Sequence, residues 1–445
     1  MNKLSINFSP FAKPISSFSG LKIFDDLIQK FEIKNLVGIH LPEKERSSGF
    51  SSWNKFYAII LGFVAGFDCL DDFDWFGEDP LFLKLTNSPS SITLGNFLRS
   101  FKPRKVELLQ ELLSTLGWAM RKTLEPTIHK VILTMDSSDH RQYGVKSEGV
   151  DFGYRKLPCL NSQNLFDDKG ILYGFKLRKG NTYSAVDAPE MLYNALKIIP
   201  RDIKKQFRAD SAYSNSEIYN VCLNQNCNFV ICLKENVWSS VLSKNRRHIK
   251  WQKTRLQFFD SDKCEIGSCL YPLKGLAGGR GFLRVVFIRT LRLNPTKEDK
   301  HPYHYYAVVT DMCESEMSHE HILKFYRKRS QVENNIKDIK NGMDFHHFPC
   351  MNLKANNVWG VIGVIAYNLM RYASFAVVPA KGCFIKTTRK KLVTIAGEVI
   401  THARSIEIRV MNYFFKEVEA IRKRMNFVIV DANRLRSKKS YDSKT

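Results

Sequence analysis

The stretch Lys130-Val131-Ile132-Leu133-Thr134-Met135-Asp136 decides the fold. It is a near-continuous apolar run of strand length that stops at a carboxylate, which predicts a buried central strand presenting Asp136 at its edge. Working outward, Leu157 to Phe166 and Ile171 to Arg178 flank the turn sequence Asp167-Asp168-Lys169-Gly170 and read as a hairpin. Asp187-Ala188-Pro189-Glu190 opens a helix with a cap, an early proline and an acid three residues on. Gln206 to Ala209 is a short strand ending at Asp210, Ser214 to Glu217 is a capping box opening a helix to about Asn226, and Asn228 to Leu233 is a fifth strand. The core is therefore α/β.

Three strands, helix, strand, helix, strand is similar to the order of the RNase H-like fold, a mixed five-stranded sheet with helices. In that fold the first and fourth strands are neighbours. The resemblance thus implies that Asp136 and Asp210, 74 positions apart (210 − 136), stand side by side. Taken singly, Asp136 also reads as a strand-end turn acid and Asp210 as the approach to a helix. Asp136-Ser-Ser-Asp139 offers two first ligands, Asp136 and Asp139. The end of the apolar run favours Asp136.

A second stretch carries the third acid. Ser318 to Lys340 reads SHEHILKFYRKRSQVENNIKDIK. At ~100° per residue, Tyr326, Arg329, Glu333 and Lys340 fall within an arc of roughly 60°. Phe325, Val332, Ile336 and Ile339 occupy a neighbouring arc, so the spacing predicts one continuous amphipathic helix. Read blandly, Arg329 and Glu333 form a surface ion pair. Read functionally, Glu333 binds a metal while Arg329 and Lys340 grip phosphates.

The spacing Tyr, two residues, Arg, three residues, Glu, six residues, Lys resembles the Tyr-Arg-Glu-Lys signature of insertion-sequence transposases of the DDE, RNase H-like superfamily, in the branch with a β-insertion before the catalytic glutamate. The likeness runs from about Phe18 to about Met411 and includes Asp68 to Asp74, Ser88 to Phe101, Gly144 to Gly149 and Arg208-Ala-Asp210-Ser-Ala-Tyr213. Ser137-Ser138 departs from the family, where a glycine or alanine and a threonine are common. The resemblance implies a DNA transposase whose Asp136, Asp210 and Glu333 hold two Mg²⁺ ions, with Mn²⁺ as a substitute, and whose Tyr326, Arg329 and Lys340 contact the transposon-end strand. It implies cut-and-paste cleavage and strand transfer at terminal inverted repeats of double-stranded DNA, by a homodimer in the DNA complex. An RNase H-like nuclease or resolvase, or a domesticated transposase that only binds DNA, is the alternative.

The same organisation partitions the chain. Residues 1–125 are dominated by helical patterns at Leu21 to Phe31, Trp53 to Asp68, Leu94 to Phe101 and Val106 to Leu124, an all-helical DNA-binding domain. Within it Ser91 to Ser100, carrying Arg99 and followed by Lys102 to Lys105, is either the second helix of a helix-turn-helix or an ordinary turn of a compact bundle. Residues 126–236 and 304–375 are the two parts of the core, and 237–303 is a β-rich insertion. Gly278-Gly279-Arg280-Gly281 there reads as a hairpin loop, since no Lys-Ser/Thr follows to make a phosphate loop. Residues 376–445 form a basic helical region whose tail, from Arg434, reads as disordered.

Trp251 lies among Arg246, Arg247, Lys250, Lys253 and Arg255. It is a core tryptophan of the insertion, or it stacks on a base flipped from an end cleaved through a DNA hairpin, the route that related transposases with a β-insertion take.

Charge and cysteines bound the setting. Among 445 residues, 68 Lys and Arg against 44 Asp and Glu give a net charge of +24, which points to a polyanion partner. The ten cysteines are scattered without Cys-x-x-Cys, so they read as reduced thiols rather than a zinc site. With no signal peptide, the expected place is the bacterial cytoplasm, at the nucleoid. Val358 to Met370, the longest apolar stretch, is too short to span a bilayer.

Overall fold

The computed structural model describes residues 12–43, 49–144, 146–258, 263–292, 302–402 and 405–425. The chain divides into two compact units, residues 101–364 and residues 1–100 with 365–445.

The 101–364 unit opens with α1 (Pro103–Leu124), a helix with proline in its first turn. The apolar run follows as β1 (Lys130–Arg141). This strand does not stop at Asp136, because its antiparallel partner continues: β2 (Pro158–Asp167) pairs with it from Leu133↔Asp167 to Arg141↔Cys159. The hairpin is completed by β3 (Leu172–Lys179). α1 lies on β3, where Ser114 Oγ donates to the Tyr173 carbonyl at 2.7 Å, and its buried Arg121 meets the Asp167 carboxylate at 3.2 Å. After α2 (Ala188–Ile198), β4 (Lys204–Ala209) lies parallel to β1, from Lys130↔Lys204 to Met135↔Ala209. α3 (Ser216–Asn224) leads to β5 (Cys227–Cys232), parallel to β4. The order β3-β2-β1-β4-β5 results.

Two helix starts differ in detail from the reading above. Asp187 has a left-handed φ of 64° and caps nothing; its Oδ1 instead accepts from Lys176 Nζ at 2.8 Å. Asn215, not Ser214, caps α3, accepting from the Ile218 N–H at 3.0 Å.

The stretch expected to be purely β-rich begins with a helix, α4 (Glu235–Asn245), in which Trp238, Val241 and Leu242 are buried at helical spacing. β6 (Gln252–Thr254), β7 (Cys264–Pro272) and β8 (Phe282–Leu291) follow, then β9 (Tyr303–Thr310). β9 pairs with β8 along its length and with β5 at Val308–Thr310. The insertion is therefore part of the central sheet, which among the described residues is one mixed sheet of ten strands.

The helix expected over Ser318 to Lys340 is two helices, α5 (His319–Arg327) and α6 (Gln331–Gly342), joined by a 3₁₀ turn at Lys328–Ser330. Ser330 Oγ donates to the Arg327 carbonyl at 3.2 Å, the local competition with the backbone ladder that tightens a helix. α7 (Leu353–Val377) is longer than the apolar stretch suggested and passes the length and composition test for a membrane span, but 83 % of its most apolar window is buried in the protein. It also carries the buried Asn356, which donates to and accepts from the Cys350 backbone. It is a core helix.

In the other unit, helices Leu21–Lys30, Ser52–Ala65, Pro80–Thr86 and Ser91–Arg99 are present. The C-terminal region expected to be helical has helix Ile385–Leu392 but also two antiparallel strands, Gly397–Thr401 and Ile406–Val410. Ile406-Glu-Ile-Arg-Val410 alternates with a period of two, a pattern that suits a strand and not a helix. Ile15–Ser16 adds to this sheet, so the N-terminal segment is not all-helical. The tail from Arg434 lies outside the described residues.

Candidate active site

Parallel pairing of β1 and β4 ends at Met135↔Ala209, so the next residue of each strand, Asp136 and Asp210, lies where the two backbones part. β1 runs on beside β2, while β4 gives way to the 3₁₀ turn Ser211–Tyr213, whose first N–H groups are met by Asp210: its Oδ1 accepts from Ala212 at 2.9 Å. A cleft floored by two carboxylates follows from a sheet whose two neighbours diverge. Burial, and then the negative charge of Asp210, push the Asp136 carboxyl up to about 6, against the opposing pull of Arg329 and of its own contact with the Ser137 N–H.

The 3₁₀ turn supplies a cation. Arg329 Nη1 sits 3.2 Å from Asp136 Oδ2, and its Nη2 sits 3.2 Å from Glu333 Oε1, one turn into α6. Arg329 and Asp136 are mostly buried, with 17 % and 16 % of their side chains exposed, whereas Glu333 is 63 % exposed. Arg329 thus bridges an inner and an outer carboxylate.

Two members of the expected stripe are elsewhere. Tyr326, 7 % exposed, packs in the apolar cluster of Val286, Ile288, Val308, Ile322 and Leu323, its ring 5.8 Å from Tyr306. The break after Arg327 lets Tyr326 face the sheet while Arg329 faces the cleft. Lys340 donates to the Asp139 carbonyl at 2.5 Å, and burial lowers its pKa. Asp139, three residues along β1 and so on the opposite pleat, accepts from Asn161 Nδ2 at 3.0 Å. It is not drawn into the group formed by Asp136, Asp210 and Arg329.

Arg208, in the stretch Arg208-Ala-Asp210-Ser-Ala-Tyr213, is a residue of the site that the sequence alone does not single out. Its buried side chain lies one pleat below Asp210, opposite Thr134, one pleat below Asp136. Nε donates to Thr134 Oγ1 at 3.0 Å and Nη1 to the Phe325 carbonyl at 3.0 Å, with the guanidinium 5.3 Å from the Phe325 ring centre. One side chain ties the strands of both aspartates to α5, the helix just ahead of the turn that carries Arg329. The signal was an arginine at the i−2 position of a strand-end aspartate, between the apolar Phe207 and Ala209. Tyr213, in the same stretch, is buried beneath the two aspartates and its hydroxyl accepts from Gln163 Nε2 at 2.9 Å.

In the insertion Arg246, Arg247, Lys250, Lys253 and Arg255 are exposed around a half-buried Trp251. One face of that indole is covered by Arg289, whose guanidinium is 3.8 Å from the Trp251 ring centre and 4.2 Å from that of Tyr303, and is held by Glu265 at 2.7 Å. In the other unit Arg99 is exposed at the end of helix Ser91–Arg99, bonded to Asn96 at 2.8 Å.

The donor set suits a hard divalent cation. Asp136 and Asp210 present carboxylate oxygens, and their repulsion is the charge such an ion would neutralise. Among the described residues no three His, Cys, Asp or Glu side chains converge to hold a metal, since Glu333 joins the pair through Arg329 rather than directly.

The family described as Transposase DDE domain group 1 matches residues 2–422. A solved structure, the cryo-EM structure of the piggyBac transposase synaptic complex with hairpin DNA, is similar at 10 % identity and a TM-score of 0.39, covering 93 % of this chain and 84 % of that one. No curated protein matches. A family match over nearly the whole chain makes this protein a member of the DDE-domain transposases, group 1.

Proposed function

We propose that this chain binds the terminal inverted repeats of its own insertion sequence and cuts and rejoins DNA strands there, as a dimer on the DNA at the bacterial nucleoid. The observation that carries the proposal is the end of the β1–β4 pairing at Met135↔Ala209, which leaves Asp136 beside Asp210 within reach of Arg329 and Glu333. The strand order supports an RNase H-like core. Asp136, Asp210 and Glu333 would hold two Mg²⁺ ions, Mn²⁺ serving as well; such ions generate the attacking oxygen and relieve charge on the leaving oxygen of an in-line displacement.

The chain's own residues do the rest. Glu333, exposed at the rim, joins the inner aspartates once Arg329 turns from the carboxylates to a phosphate. Exposed cations of the insertion neutralise backbone phosphates. In hydrolysis the water oxygen bonds to phosphorus as the bond to the 3′ oxygen breaks, and that oxygen takes a proton; in strand transfer a 3′ hydroxyl replaces the water. The Tyr-Arg-Glu-Lys branch remains part of this reading, with Tyr326 acting by seating the turn that carries Arg329.

The test is cleavage of a labelled element end by Glu333→Gln. Loss of nicking with end binding kept within about twofold is expected. Nicking at the wild-type rate defeats the assignment, and intact binding without nicking in the wild type as well favours a protein that only binds DNA.

A further inference from the structure

Beyond Asp136, β1 leads to a surface that the proposed chemistry leaves unused. The short strand Asp151–Phe152 pairs with the start of β2, and the residues between form a tight turn, Gly153-Tyr154-Arg155-Lys156. The turn is well made: the Lys156 N–H donates to the Gly153 carbonyl at 2.9 Å, the Gly153 N–H to the Leu157 carbonyl at 3.2 Å, and Lys156 takes a left-handed φ of 54°. Its position is fixed by Gly153, where an added Cβ would lie 2.6 Å from Cys159 Sγ and 3.1 Å from Asp139 Oδ2. No larger residue fits between the turn and β1.

At the tip of this rigid turn, Tyr154 is 99 % exposed, and Arg155 and Lys156 beside it are exposed too. A phenol wholly in water adds nothing to folding, and a turn needs no aromatic there. Nor is it alone: Phe152 on the same hairpin is exposed, and at the end of β1 the exposed Tyr143 is stacked on His347 at 5.4 Å with the Arg141 guanidinium 5.1 Å from its ring. An open aromatic ring flanked by cations at the tip of an edge hairpin matches what unstacked bases and their phosphates require. A duplex keeps its bases stacked and offers phosphates and base edges, not base faces. The turn packs on Asp139, three strand residues or about 10 Å from Asp136, a span of one or two nucleotides.

We infer that the Gly153–Lys156 turn is a stacking platform for single-stranded DNA leaving the active site, with Tyr154 taking a base and Arg155 and Lys156 its flanking phosphates. The inference rests on the proposed function and adds to it a place for the separated strand.

The experiment uses the full chain and two probes, a single-stranded oligothymidylate of 20 nucleotides carrying one 2-aminopurine, and a 20-base-pair duplex of mixed sequence. Tyr154→Ala should lower affinity for the single strand 5- to 100-fold and abolish the added quenching of 2-aminopurine. Duplex affinity should stay within twofold. Tyr154→Phe should behave as the wild type. Unchanged single-strand affinity in Tyr154→Ala, or an equal loss on both probes, overturns the inference; so does a shift of the monomer–dimer balance in sedimentation without a change in single-strand binding, which would make the tip a self-association surface. Element-end nicking by Glu333→Gln with Tyr154 intact is measured alongside: persistent nicking there removes the functional reading and leaves the quenching result standing.

Discussion

Arg329 holds Asp136, guanidinium to carboxylate at 3.2 Å, at the point where the cation of a cleavage site would act. If Asp136 holds a metal, as proposed, this arginine competes with it in DNA-free protein. Arg329→Ala should therefore raise the affinity of the free protein for Mn²⁺ roughly fivefold, the equivalent of about 1 kcal/mol for a part-buried pair. The same variant should lower the slope of log K for DNA against log salt by about one, for one lost phosphate contact. Calorimetric Mn²⁺ titration and salt-dependent binding check the two halves. Unaltered Mn²⁺ affinity would return the pair to a structural ion pair.

Arg208 is expected to position the acids without touching DNA. Arg208→Lys keeps a buried cation but cannot reach both Thr134 and Phe325. Single-turnover cleavage should fall about a hundredfold, the order expected for a displacement near 1 Å. DNA affinity should hold within twofold. If the folded variant cleaves at the wild-type rate and only its unfolding temperature drops, the residue serves stability alone.

His140 predicts an acid-sensitive core. Its ring is fully buried between Ser162 Oγ, at 2.7 Å, and the Phe345 carbonyl, and burial followed by the charge of Lys340 pushes its pKa down to about 3. An unfolded histidine titrates near 6.5, so between pH 6.5 and 3 the unfolded chain binds the extra proton. This contribution to stability is whole above 6.5 and falls by up to about 1.4 kcal/mol per pH unit below it. Urea midpoints at pH 7, 6 and 5 should decline less steeply in His140→Asn than in the wild type; parallel declines would contradict the assignment.

Trp251 can take a flipped base only if Arg289 leaves its face. On a labelled element end, Trp251→Ala should lose a hairpin product selectively and keep the first nick, read on a denaturing gel. The absence of any hairpin from the wild type, or an equal hairpin in the variant, would reduce Trp251 to a packing residue.

How legible the molecule was depended on the range of the interactions. β1, its hairpin and β4 were readable because runs such as Val131 to Met135 and the turn Asp167 to Gly170 are local signals. Asp210 was readable as a strand-end acid, and Asp136 as the end of an apolar run though its strand goes on to Arg141, but what brings them together is the parting of two strands far apart in sequence, which no local pattern carries. The helix of Glu333 was found by periodicity, yet periodicity runs straight through Lys328–Ser330, where Ser330 bonds back to Arg327 and the stripe breaks. Arg208 was overlooked because a buried arginine in a strand is recognised by its partners. The merging of the insertion with the core depends on β9 meeting β8 on one side and, across 76 positions (308 − 232), β5 on the other, pairings that no local pattern announces.

That merging has a mechanical side. β9 pairs with β8 from Tyr303 to Thr310 but with β5 only over Val308–Thr310, so the outer strands are clamped to the core by one short ladder and by α5, whose His319 and Glu320 bond Ser268 and Thr254. A load on the outer strands, such as a bent duplex pulling on Lys253 or Arg255, passes through α5 and along the ladder into β5, and from there to β4, the strand that ends at Asp210. Stiffness in the clamp would set how firmly DNA bending registers at the aspartates. Excising the insertion would also strip β9 of its neighbour β8 and leave a raw edge, open to pairing with other chains.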